Sequence, residues 1–122
     1  MAKAAIPRLL LPQIVRDVVV PGKPGTYVLG NDKNGFVPGY VGRSGTCLQT
    51  RLATHNKLYE FDYFLFRYAE NTTEAFFQEC EFWHACQSLV MSNRIHPAAP
   101  HGSRLECPFC HFAKNVGRML AQ

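Results

Sequence analysis

Apolar positions along this chain come in short blocks separated by dense turn chemistry, and the blocks change period. Residues 1–15 carry three apolar clusters broken by prolines and read as an arm of uncertain structure. Val18-Val19-Val20 is β-prone and stops at Pro21. After the turn Lys23-Pro24-Gly25, Thr26 to Leu29 reads as a strand. Gly30-Asn31-Asp32-Lys33-Asn34-Gly35 is turn chemistry, with Asn34-Gly35 the strongest hairpin signal, and Val37 to Gly42 returns as a second strand. Pro38 puts its first residues on an edge or outside the ladder. A helix follows from about Cys47 to Asn56, where Thr46 and Gln49 have capping-box spacing. Phe61 to Ala69, nearly all aromatic or apolar, predicts a third strand covered on both faces. Asn71-Thr72-Thr73-Glu74 opens a second helix running to about Met91. The order β-β-α-β-α predicts an α+β domain: a small three-stranded antiparallel sheet flanked by helices.

Composition narrows this to one globular unit. The chain has 122 residues, 47% of them hydrophobic, with one Trp, five Tyr and nine Phe. That is enough for a single core and excludes a disordered chain. A net charge of +4 suits an anionic partner without requiring one. Leu9-Leu10-Leu11 lies between prolines and is too short for a signal core or a membrane span, so a cytoplasmic protein without a membrane partner is expected. Five cysteines, an odd number without a secretory signal, argue against a disulfide framework and leave metal binding open.

Two places carry chemistry. In Gly39 to His55, a strand, a glycine-containing turn and a helix put Arg51 and His55 at i and i+4, beside the seam of Leu48 and Leu52. A cation and a histidine there suit a phosphate. In the second helix, Ala75, Phe76, Phe82, Trp83, Cys86, Leu89 and Val90 make an apolar face, with Glu74, Gln78 and Glu81 opposite. Glu79 falls inside the apolar face. A carboxylate in that position needs a partner. Two readings stand: an ion pair with Arg51 or Arg67, or a ligand for a hard cation such as Mg²⁺.

The pieces together resemble the GIY-YIG nuclease domain over roughly residues 24–95: Gly25-Thr26-Tyr27, Tyr40-Val41-Gly42, Arg51 and His55 at helical spacing, Glu79, then Asn93. The first motif is GTY rather than GIY, and Arg43 stands where several members carry lysine. The resemblance implies a metal-dependent endonuclease that hydrolyses DNA phosphodiesters with one Mg²⁺ or Mn²⁺. It implies that Glu79 anchors the metal, that Arg51 stabilises charge on the phosphoryl oxygens, and that Tyr27 or Tyr40 orients or deprotonates the attacking water. It further implies that His55 and Asn93 support that site, with Arg43 and Ser44 on the substrate side.

The cysteines point to a second, structural centre. Cys107-Pro108-Phe109-Cys110 is a knuckle spacing, and Cys80 and His84 share a helix face at i and i+4. A Cys80, His84, Cys107, Cys110 set would hold Zn²⁺ and staple the tail onto the second helix, with His96, His101, His111 and Cys86 as competing ligands. The expected organisation is an N-terminal arm (1–23), the nuclease-like domain (24–95) and a zinc-knuckle-like CxxC tail (96–122) packed on it. A catalytically silent nucleic-acid-binding or zinc-stapled protein-interaction module is the alternative function, and a homodimer or larger complex could supply DNA specificity.

Overall fold

The computed structural model describes residues 6–55, 57–86 and 96–110. Its elements are β1 (Arg8–Leu9), α1 (Pro12–Val18), β2 (Gly25–Asp32), β3 (Phe36–Ser44), α2 (Leu48–Ala53), β4 (Tyr63–Tyr68) and α3 (Thr72–Cys86). The sheet has four strands in the order β1-β4-β2-β3, every neighbouring pair antiparallel. The expected three strands are therefore four: the proline-broken N-terminal segment adds Arg8 and Leu9 to the outer edge of β4.

The hairpin joining β2 and β3 turns where Asn-Gly is read in the sequence. Asn34 and Gly35 both take positive φ, 61° and 119°, and Asp32 Oδ1 accepts the Gly35 amide at 3.0 Å. β2 lies in the middle of the sheet, so its alternating side chains supply two cores. Tyr27 and Leu29 face one side, with Leu48 and Leu52 of α2 and Val15 of α1. Thr26 and Val28 face the other: Thr26 Oγ1 meets Ala75 and Gln78 of α3, and Val28 clusters with Val41, Phe82 and Trp83. β4 follows the same rule, sending Phe64 and Phe66 to the first core and Leu65 to the second.

Three local readings are corrected. The valines at 18–20 do not form a strand, because Pro12 starts a helix that includes Val18. Val15 and Val19, 0% and 1% exposed, fill the main core, so packing overrides β-propensity. Thr46 does not cap α2: Cys47 is the N-cap residue without a side-chain cap, and Ser44 Oγ accepts the amides of Thr46 and Cys47 at 3.3 and 3.1 Å. Gln49, freed from a capping box, donates to the carbonyls of Arg16 and Val19, which the end of α1 leaves without helical partners. Gln78, placed on the solvated face by the helical wheel, is buried among Thr26, Glu74 and the Tyr68 carbonyl. The predicted end of the second helix near Met91 lies outside the described residues.

Candidate functional site

The site begins at Tyr27, which is wholly buried in the centre of β2. Its register partner on β3 is Gly42, where a Cβ would collide with the tyrosine ring and hydroxyl. The glycine of Tyr40-Val41-Gly42 is thus required by the tyrosine of Gly25-Thr26-Tyr27. The Tyr27 oxygen accepts Arg51 Nε at 3.3 Å and meets His55 Nε2 at 2.8 Å. His55 Nδ1 accepts the Lys57 amide at 3.0 Å, which puts the imidazole proton on Nε2 and makes it the donor to Tyr27. His55 stacks edge-on against both tyrosines, with ring centroids 5.3 Å from Tyr27 and 5.2 Å from Tyr40.

Electrostatics assign different capacities to these groups. Burial pushes the Tyr27 hydroxyl up to about 12, although Arg51 opposes the shift, so it does not ionise near neutral pH. Burial, with Arg51 and Lys57 nearby, lowers His55 to about 4 and keeps it neutral. Both are therefore neutral hydrogen-bonding groups: Tyr27 holds Arg51, whose guanidinium stays charged, and His55 holds Tyr27.

On the opposite face of the sheet, Arg43 of β3 reaches Glu79 of α3. Arg43 Nη1 donates to Glu79 Oε1 at 2.5 Å, Nη2 donates to the Ala98 carbonyl at 2.7 Å, and the guanidinium lies over the Phe76 ring. Burial raises the Glu79 carboxyl above its ordinary value, against the pull of Arg43. Glu79 is inside, as the helical wheel places it, but its ion-pair partner is neither Arg51 nor Arg67. Arg67 pairs with Glu81 at 3.4 Å, and Arg43, expected on the substrate side, is the partner. The reason is strand alternation, which turns Arg43 toward α3 while Tyr40 and Gly42 face α2.

The two half-sites meet at β3, the outer strand of the sheet. An open groove of about 410 Å³ there is lined by Tyr40, Arg43, Ser44, Arg51 and Glu79, together with Pro97 and Ala98. Five of the residues singled out in the sequence thus border one space, and Tyr27 and His55 stand behind Arg51. Asn93 lies outside the described residues.

Comparison with family models, curated proteins and solved structures finds no match.

The cysteine chemistry assembles elsewhere. His84, His96, Cys107 and Cys110 bring one donor atom each to within 4.8 Å of one another, a cluster that could hold a metal such as zinc. His84 Nε2 and Cys110 Sγ are 3.2 Å apart. Cys80, expected as a ligand, is not in this group, and His96 takes the fourth place. Cys80 is fully buried and bonds to Cys107, and burial first, then that contact, raises its thiol well above the ordinary value. Burial would also raise Cys107, but the Cys110 amide, His96 and Cys80 outweigh it and lower the thiol. Of the other candidates, His101 is exposed, Cys86 packs in the α3-side core, and His111 lies outside the described residues. Among the described residues, no helix is long and apolar enough to cross a membrane.

Proposed function

We propose that the β3 groove is the active site of a metal-dependent endonuclease of the GIY-YIG type acting on DNA. The observation that carries this reading is the convergence of Tyr40, Arg51 and Glu79 on one open groove, with Tyr27 bonded to Arg51 from behind and His55 bonded to Tyr27. The three groove residues lie far apart in sequence, so the fold has to bring them together.

The chemistry follows from the geometry. A DNA phosphate entering the groove meets Arg51, whose Nε is committed to Tyr27, leaving the rest of its planar fork for phosphoryl oxygens. Tyr40, not the inaccessible Tyr27, is the tyrosine that borders the groove and can orient the attacking water. Tyr27 and His55 act as positioning residues, and neutral His55 adds no positive charge to compete with Arg51. One carboxylate at the edge of an open groove fits Mg²⁺ or Mn²⁺, ions that keep several waters and take few protein ligands. Bound at Glu79, such an ion would polarise the phosphate and neutralise charge on the leaving 3′ oxygen. Arg43 occupies Oε1, so it would share the carboxylate or swing aside when the ion binds.

That same ion pair favours a second reading, a silent nucleic-acid-binding module in which Arg43 permanently satisfies Glu79. The two readings separate on plasmid, flapped, branched and single-stranded DNA incubated with Mg²⁺ or Mn²⁺. The nuclease reading predicts cleavage that chelation stops and that Arg51→Ala abolishes. Binding without cleavage on every substrate supports the silent module.

A further inference from the structure

Residues 96–98 connect the cysteine cluster to the groove. His96 is one of the four clustered donors, Pro97 and Ala98 line the groove, and the Ala98 carbonyl accepts Arg43 Nη2. Three successive residues therefore span both places.

His96 is arranged as a ligand. Its Nδ1 lies 2.8 Å from the Pro97 carbonyl, an acceptor only, so the proton sits on Nδ1 and Nε2 presents a lone pair. That Nε2 is buried and, among the described residues, makes no hydrogen bond of good geometry, while the His96 ring lies beside the Cys107 thiol. A buried imidazole nitrogen facing two thiols and a second imidazole is a donor set suited to a metal ion. Tetrahedral Zn²⁺, with Zn–S near 2.3 Å and Zn–N near 2.0–2.1 Å, separates its donors by roughly 3.3–3.8 Å. The four donors, all within 4.8 Å, need to contract by at most about 1–1.5 Å to reach that geometry.

We propose that His84, His96, Cys107 and Cys110 hold one zinc ion that fastens residues 96–98 to α3 and so maintains the wall of the groove that seats Arg43. Cys80 is not a ligand; it supports Cys107 from the core side. The ion is structural: two imidazoles and two thiolates close its coordination and leave no open position for chemistry. Glu79 and His84 belong to the same helix, so the metal ties the groove wall to the element that carries the carboxylate. Nuclease activity is not assumed.

The test uses full-length protein purified under reducing conditions. Elemental analysis is expected to find one zinc per chain. Replacement by Co²⁺ should give the intense visible absorption of a tetrahedral site and a near-ultraviolet thiolate-to-cobalt band. Trp83, the one tryptophan, lies 5.1 Å from the His84 ring and 5.0 Å from the His96 ring, so Co²⁺ should also quench its fluorescence. His96→Ala and Cys110→Ser should lower metal content at least tenfold, whereas Cys80→Ala should keep it. Hydrogen exchange should rise several-fold in residues 97–106 when zinc is removed from the wild-type chain. Zinc-free native protein that gives no cobalt spectrum would overturn the site. Retention of metal by His96→Ala with loss in Cys80→Ala would overturn the ligand set, and exchange unaffected by metal removal would overturn the link to the groove.

Discussion

Replacing Arg43 by methionine tests whether Glu79 is held in the groove wall by a single cation. Arg43→Met retains most of the aliphatic stem over Phe76 but removes the donors to Glu79 Oε1 and the Ala98 carbonyl. Two opposite charges centred about 4 Å apart interact by about 4 kcal/mol at an effective dielectric near 20. Breaking a buried pair costs about 3–5 kcal/mol. The side chains here are 20% and 10% exposed, so the loss at about pH 8 falls at or below the lower end, about 2–3 kcal/mol. In a chain of this size that lowers the melting temperature by roughly 6–10 °C.

The pH dependence identifies the cause. Burial raises Glu79 above its ordinary 4.5, so its contribution to stability is present in acid and is lost as pH rises through the folded value. Without Arg43 the carboxyl rises further, and the destabilisation relative to wild type should grow as pH rises through the wild-type and then the variant value. Toward acid, as Glu79 takes up its proton in both proteins, the cost should shrink to about 1 kcal/mol, the lost bond to Ala98 and some packing. Urea unfolding of both proteins across this range measures the difference, and Arg43→Met/Glu79→Gln should recover most of the loss at high pH. An equal loss at both ends of this range, or no recovery in the double variant, would refute the reasoning.

Two further substitutions address the clamp on Arg51. Tyr27→Phe leaves the buried Nε2–H of His55 and the Nε–H of Arg51 without their acceptor, and should cost about 1–3 kcal/mol in thermal or urea unfolding, while activity falls through mispositioning of Arg51. A Cβ at Gly42 meets the Tyr27 ring and hydroxyl, so Gly42→Ala should destabilise the chain by about 1–3 kcal/mol and alter the tyrosine signals in the near-ultraviolet circular dichroism spectrum; wild-type stability and spectrum would show that β3 yields freely there.

Much of the site is legible in the sequence because its parts are local patterns. Glu79 on an apolar face and the Asn34-Gly35 hairpin follow from short-range rules and lie where those rules put them. Arg51 and His55 do meet, but at the Tyr27 hydroxyl rather than as neighbours on one helix, because α2 ends at Ala53 instead of reaching Asn56. Partners are harder to read, because they depend on how elements pack. Arg43 finds Glu79 only because β3 is an edge strand whose odd positions there face α3, and Gln78 is buried because Thr26 and the Tyr68 carbonyl offer it bonds. Helix α1 escapes a propensity reading since its valines prefer strands and only packing against α2 selects the helix. Of the Cys80 and His84 pair at i, i+4, only His84 joins the cluster that could hold a metal. The spacing does not reveal that Cys80 lies wholly inside, while His96 brings a buried nitrogen to the cluster.

We propose that the groove hydrolyses DNA with a divalent ion at Glu79. The most direct measurement of this claim is single-turnover cleavage, with Mg²⁺, of whichever DNA is cut, comparing wild type with Glu79→Gln, which keeps the shape and removes the charge. The account predicts a loss of about 10²–10³-fold or more, as expected when a group stabilising the transition state is removed, with cleavage by wild type leaving a 3′-hydroxyl and a 5′-phosphate. Cleavage by Glu79→Gln at the wild-type rate, or no metal-dependent cleavage by the wild-type protein on any substrate, would contradict it.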